Sequence, residues 1–106
     1  MLKMFEVYVI NTHPTVGVEI QKRRPFLVVS PDEMNRSIKT AIIAPMTTKS
    51  RSLPTRVECV FESKSGFIVL DQIRTVDKIR LIKKLGRIDE DTQVKVLETL
   101  QEIFAP

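Results

Sequence analysis

Phe5-Glu-Val-Tyr-Val-Ile-Asn11 (FEVYVIN) alternates, with Phe5, Val7 and Val9 on one face and Glu6, Tyr8 and Ile10 on the other. That period of two is the pattern of a strand in an antiparallel sheet. Downstream, Pro25–Ser30 (PFLVVS) reads as a second strand closed by the turn signal Pro31-Asp32. The polar segment between them, Thr12–Arg24 (THPTVGVEIQKRR), is long for a hairpin connection and is singled out as a candidate functional loop. Asp32–Ser37 suits one helical turn, and Thr40–Ala44 (TAIIA) reads as a buried strand ended by Pro45. Met46–Pro54 is a polar, cationic loop. Strands are expected near Thr55–Phe61 and Gly66–Leu70, with Ser63–Ser65 and Gly66 forming the turn between them. Asp77–Leu85 (DKIRLIKKL) fits a helical turn or a strand; we read a short helix and then a strand through Lys84–Ile88.

The C-terminal segment has a different period. Val94, Leu97, Leu100 and Phe104, with Val96 and Ile103 beside them, recur at three- and four-residue spacing, and Asp89 or Asp91 can cap the helix they predict. Five or six short strands, no alternation of strand and helix, and one terminal amphipathic helix predict a mainly β fold. Its expected form is a small, strongly bent sheet or partial barrel covered by that helix. The 106 residues contain no internal repeat and suffice for one domain with one modest core, 1–106.

Composition removes whole function classes. A single Cys59 cannot form an intramolecular disulfide, and one Cys with one His cannot build a His/Cys metal cluster, so no metal or cofactor is expected. No apolar run approaches the roughly 18–20 residues that span a bilayer. The start, Met-Leu-Lys-Met-Phe-Glu, lacks the long apolar stretch of a signal peptide, so the expected compartment is the cytoplasm, away from membranes.

The net charge of +4 conceals an uneven distribution. Lys22–Arg56 carries eight cations against Asp32 and Glu33, and Arg74–Arg87 carries six against Asp77. Ile88–Pro106 instead holds five anions and one cation, Lys95. The pattern implies a basic region built from loops, suited to an anionic partner, and an acidic helix elsewhere.

Three segments in the basic region carry chemistry. In Pro14-Thr15-Val16-Gly17-Val18-Glu19 the Pro and Gly can fold the loop back, while Arg24-Pro25 sets a guanidinium at the start of a rigid strand. Such a fork of donors fits two phosphate oxygens and never loses its charge, and Glu19 can orient it or accept a proton. Pro45-Met46-Thr47-Thr48-Lys49 follows a buried strand, so its hydroxyls and ammonium are placed to hold an anion or to satisfy turn backbone groups. Asp71-Gln72-Ile73-Arg74-Thr75 also follows an apolar strand. His13 is the one side chain with an ordinary pKa near neutrality, and Cys59, inside Val57–Phe61, reads as a small core residue.

Taken in order, Pro14-Thr15-Val16-Gly17-x-Glu19, Arg24-Pro25-x-Leu27-Val28-Val29-Ser30-Pro31, Asn35-Arg36, Ala44-Pro45-x-Thr47-Thr48 and Asp71-Gln72-x-Arg74-Thr75 closely resemble the MazF/PemK toxins of bacterial toxin–antitoxin pairs. The resemblance spans nearly the whole chain. It implies a CcdB-like fold, an SH3-like barrel with a C-terminal helix, assembled as a homodimer. It also implies a metal-independent endoribonuclease that cuts single-stranded mRNA at short sequences. A cognate antitoxin would neutralise it by laying an acidic disordered segment in the RNA groove. The family's essential Arg and Thr fall on Arg24 and Thr47 and its loop Glu on Glu19; RNA contacts are expected from Arg23, Asn35, Thr48, Lys49, Asp71, Gln72 and Arg74.

The chain departs from the family pattern in places. Val18 and Val69 stand where some PemK-type members carry His and Arg, and His13 replaces the usual Asp before Pro14-Thr15. The general base is therefore open among Glu19, Asp71 and His13, with Glu19 favoured by its nearness in sequence to Arg24. Two alternatives accompany this reading: a gyrase-binding toxin of the CcdB kind, and a catalytically degenerate member that only binds RNA or antitoxin. CcdB proteins use a Trp near a C-terminal Trp-Gly-Ile, whereas this chain has no Trp and finishes Ile-Phe-Ala-Pro.

Overall fold

A computed structural model describes residues 1–11 and 24–106. The strands are β1 (Glu6–Ile10), β2 (Pro25–Val28), β3 (Thr40–Thr47), β4 (Arg56–Phe61), β5 (Lys64–Val69), β6 (Arg74–Asp77) and β7 (Leu81–Arg87). Helix α1 covers Asp32–Ser37 and α2 covers Glu90–Phe104, and single 3-10 turns occupy Leu70–Gln72 and Lys78–Arg80. All strand pairs are antiparallel, in the order β4-β5-β3-β2-β1-β7, with β6 also paired to β3. The predicted β-rich class with a terminal helix is what the chain adopts.

Strand β3 is the hinge of the sheet. Along one side it pairs with β2 through Ile43, Ala44 and Pro45. Along the other it pairs first with β6, over Thr40–Ile43, and then with β5, at Met46 and Thr47. Pro45 therefore does not end the strand, as its sequence predicts. It falls between the β6 and β5 ladders, where a missing N–H removes nothing from either.

The β4–β5 connection also differs from expectation. Glu62 and Ser63 both have positive φ, 51° and 64°, and form a two-residue turn closed by the pair Phe61 and Lys64. Gly66 is thus not a turn residue but lies in β5 opposite Cys59. A Cβ on it would lie 2.5 Å from the Thr47 carbonyl oxygen, so glycine is what lets β5 close on the end of β3. Strand β6 leaves no signal in the sequence, because four residues are too few for alternation to register.

Strand β2 explains the core. Leu27 and Val29 enter a cluster with Val7, Ala44, Ile68 and Val96, while Phe26 and Val28 face a second cluster with Ile10, Ile43 and Val76. Both faces of this central strand are buried, which is why it reads as a continuous apolar run. Helix α2 starts at Asp89, whose carboxylate accepts the Thr92 N–H at 2.8 Å. It contacts the sheet through buried Val96, with Leu100 and Ile103 packed beside it. Val94, Leu97 and Phe104 are 54%, 41% and 69% exposed, so the facing stripe is narrower than the periodicity implies. The helix lies mainly over β4, which covers only one arc of it. No helix among the described residues is long and apolar enough to cross a membrane.

Candidate active site

A cleft of about 410 Å³ opens where the start of β2, the end of β3 and the β4–β5 hairpin converge. Arg24 and Pro25 form one wall and Thr47, Thr48 and Lys49 another; Glu62, Lys64 and Phe67 close the third. Its floor is apolar and includes Val9, Met46, Cys59 and Leu85. The β2–β3 register sets Phe26 opposite Pro45. Continued by two residues, it brings exposed Arg24 across from Thr47, and both line the cleft. Two segments 23 positions apart in sequence are thus joined by one strand register.

The Thr47 side chain is already oriented. Its Oγ1 accepts the Lys49 N–H at 3.0 Å, and the hydroxyl's longer donation, 3.4 Å to the Lys49 carbonyl, leaves its proton available for a better acceptor. Thr48 and Lys49 are exposed beside it. One guanidinium, one ammonium and hydroxyls around a partly apolar hollow make a site for a polyanion's phosphate, with room for an adjoining ring.

The third expected segment lies elsewhere. Arg56 donates from Nε to Asp71 Oδ1 at 3.1 Å and from Nη2 to Asp71 Oδ2 at 3.2 Å, and Thr55 Oγ1 donates to Asp71 Oδ1 at 3.0 Å. These bonds, the Arg56 fork foremost, hold the Asp71 carboxyl below the usual carboxylate range against the opposing effect of burial. A carboxylate so held is a weak proton acceptor. Gln72 and Arg74 are exposed, and the Arg74 guanidinium lies 5.6 Å from the centre of the Phe26 ring. None of these three residues lines the cleft.

Asn35, expected as an RNA contact, is 2% exposed. Its Oδ1 accepts from Ser30 Oγ at 2.6 Å and its Nδ2 donates to the Ser30 carbonyl at 2.9 Å, while Lys78 Nζ donates to its own carbonyl. The amide is consumed in bracing α1 against the chain after β2, so it is a structural residue and not a surface contact. Arg23, Glu19, His13 and Val18 lie outside the described residues. Val69 is buried in β5 opposite Arg56.

Sequence reasoning missed the hairpin wall, because Glu62, Lys64 and Phe67 reach the cleft only once the turn at 62–63 is known. It also missed Glu6, a buried carboxylate. Burial opposes its charge, yet hydrogen bonds from Lys84 Nζ, the Lys3 N–H and the Tyr8 hydroxyl, with the Lys84 charge, lower its pKa. A strand carboxylate facing the interior carries no spacing signal. Burial, with a smaller contribution from Asp89, pushes the Cys59 thiol up, so it stays protonated as a core residue. Among the described residues no group of three or more His, Cys, Asp or Glu is placed to hold a metal ion.

Similarity to characterised proteins agrees with this arrangement. The chain is 40% identical, over 95% of its length and 92% of the relative's, to the endoribonuclease EndoA of Bacillus subtilis (strain 168). It superposes with a TM-score of 0.85 on an endoribonuclease in complex with its cognate antitoxin from a mycobacterial species, at 24% identity, covering 100% of this chain and 98% of that one. A MazE–MazF complex from Deinococcus radiodurans matches with a TM-score of 0.80 at 25% identity, covering 96% and 94%. The family model described as PemK-like, MazF-like toxin of type II toxin–antitoxin systems matches residues 3–104. On the ordered motifs, the fold and these matches together, the chain belongs to the PemK-like, MazF-like toxins of type II toxin–antitoxin systems.

Proposed function

We propose that the protein is an endoribonuclease that cuts single-stranded mRNA, with its reaction centre in the cleft between Arg24 and Thr47. The observation that carries this reading is the meeting of Arg24, Thr47, Thr48 and Lys49 around one hollow. A ribose 2′-oxygen attacks the adjacent phosphorus, the bond to the next nucleotide's 5′-oxygen breaks, and the products carry a 2′,3′-cyclic phosphate and a 5′-hydroxyl. Negative charge builds on the phosphoryl oxygens. Arg24 stabilises it through its fork, Thr47 donates its hydroxyl to one oxygen, and Lys49 and Thr48 hold the flanking backbone. Arg23, Gln72 and Arg74 are further RNA contacts in this reading. The 2′-proton goes to a base, for which Glu19 is our choice over His13 and over Asp71, whose pKa the Arg56 fork lowers, and water protonates the departing 5′-oxygen.

The side-chain cation does the work a metal would otherwise do, so cleavage is expected to persist in EDTA. Residues 1–106 act as a single unit in the cytoplasm, paired as a homodimer. A cognate antitoxin with an acidic disordered segment competes with RNA for the same basic cleft. An endoribonuclease from a mycobacterial species is solved in complex with its cognate antitoxin and a MazF from Deinococcus radiodurans with MazE, which supports an antitoxin partner. Incubation of the purified protein with mixed-sequence single-stranded RNA in EDTA tests the reading. Uncut RNA at stoichiometric protein would reject it, and binding without cutting would favour a degenerate member.

A further inference from the structure

The turn that carries Thr47, Thr48 and Lys49 is tied down at both ends. At its start, Met46 and Thr47 pair with Ile68 and Phe67 of β5. At its end, Ser50 Oγ accepts from Arg56 Nη1 at 2.8 Å and donates to the Arg51 carbonyl at 3.1 Å. The same guanidinium is clamped by both oxygens of Asp71, and Thr55 donates to that carboxylate in turn. One planar fork thus spends one edge, Nε and Nη2, on its anchor and a third donor, Nη1, on the turn, which a lysine ammonium cannot reproduce. The Arg56 side chain is 18% exposed and that of Asp71 33%.

From this geometry we infer that Arg56 is a positioning residue for the proposed cleavage, holding the Thr47–Ser50 turn open on the rim of the cleft through Ser50. It touches no reacting atom and lines no part of the cleft. The connection runs from Asp71 through Arg56 to Ser50, and on through the Lys49 peptide, whose N–H is held by Thr47 Oγ1. A turn fixed before RNA arrives need not be ordered on binding, so the brace acts on affinity more than on the chemical step.

The inference rests on the cleavage reading and is tested with Ser50→Ala, which removes the last link and leaves the Arg56–Asp71 pair. With a short single-stranded oligoribonucleotide, KM rises about five- to tenfold, the size of one ordinary intramolecular hydrogen bond, while kcat changes by less than about twofold. The melting temperature stays within about 2 °C of the parent. Ser50→Thr, which keeps the hydroxyl, restores KM. Arg56→Lys raises KM alone but adds little to Ser50→Ala, because both break the same link. An unchanged KM in Ser50→Ala, failure of Ser50→Thr to restore it, or full additivity would overturn the inference. If the wild-type protein cuts no RNA, the cleavage reading fails and hydrogen exchange decides the brace. The Lys49 amide then exchanges about tenfold faster in Ser50→Ala, and equal exchange overturns it.

Discussion

Gly66→Ala links the fold to the site through one contact. The new Cβ would stand 2.5 Å from the Thr47 carbonyl oxygen and 3.1 Å from its carbon. Carbon and carbonyl oxygen approach to roughly 3.3 Å at closest, so about 0.8 Å must be found by moving β5 or the end of β3. Both partners are backbone, and no side-chain rotation relieves the clash. Overpacking of this kind costs about 1–3 kcal/mol. Taking the middle of that range, the melting temperature falls by about 8–16 °C for a chain of this size. The displaced atoms belong to Thr47 itself, and a misplacement near 1 Å at reacting groups costs about a hundredfold in rate. Activity at a temperature where the variant is fully folded should therefore still drop by about a hundredfold. Thermal unfolding by circular dichroism and cleavage of a fluorogenic oligoribonucleotide measure the two effects on one sample. A variant as stable and as active as the parent would refute the claim that this contact positions Thr47.

Thr47→Val removes the hydroxyl at nearly constant shape and should lower kcat about a hundredfold, whereas Thr47→Ser keeps most of the rate; steady-state kinetics distinguish them. Val96→Ala empties a fully buried site under α2 and should cost about 2–3 kcal/mol in urea unfolding, while Val94→Ala, on the exposed arc, stays within about 0.5 kcal/mol. Glu6 and Asp71 both have carboxyls lowered in the folded state. Their contribution to stability is full above the unfolded-state value and is lost as pH falls through the lowered one. Melting temperature should thus decline below about pH 4.3, and Glu6→Gln should flatten part of that decline. RNA affinity should fall linearly on a logarithmic salt scale, and Lys49→Ala should reduce the slope by about 0.7, the share of one phosphate contact.

How much of this was legible in the sequence depends on how local each determinant is. The buried strand at Thr40–Ala44, the turn of helix at Asp32–Ser37 and the Asp89 cap depend on neighbours within a few positions, and each forms where its pattern predicts. Pro45 and Gly66 carry local breaker signals that strands distant in sequence override: Pro45 falls between the β6 and β5 ladders, and Gly66 gives β5 room to close on Thr47. The helix face follows the same rule: periodicity marks one broad apolar arc, and only packing on the sheet decides that its Val96, Leu100 and Ile103 side faces inward while Val94, Leu97 and Phe104 stay exposed. Arg24 and Thr47 were named from their segments, but their common cleft depends on the β2–β3 register. Asn35 and Asp71 were named from segments as well. Their side chains prove to be engaged by Ser30 and Arg56, partners no spacing rule reveals.

The most direct test of the account is the single-turnover rate of cleavage of a short single-stranded RNA in EDTA by the wild-type protein and by Arg24→Ala. The account predicts cleavage by the wild type and a loss of about a hundred- to a thousandfold on removal of the guanidinium, with the variant still folded. A folded Arg24→Ala that cuts within about threefold of the parent rate would contradict it, because a loss that small is far below what one preorganised donor contributes.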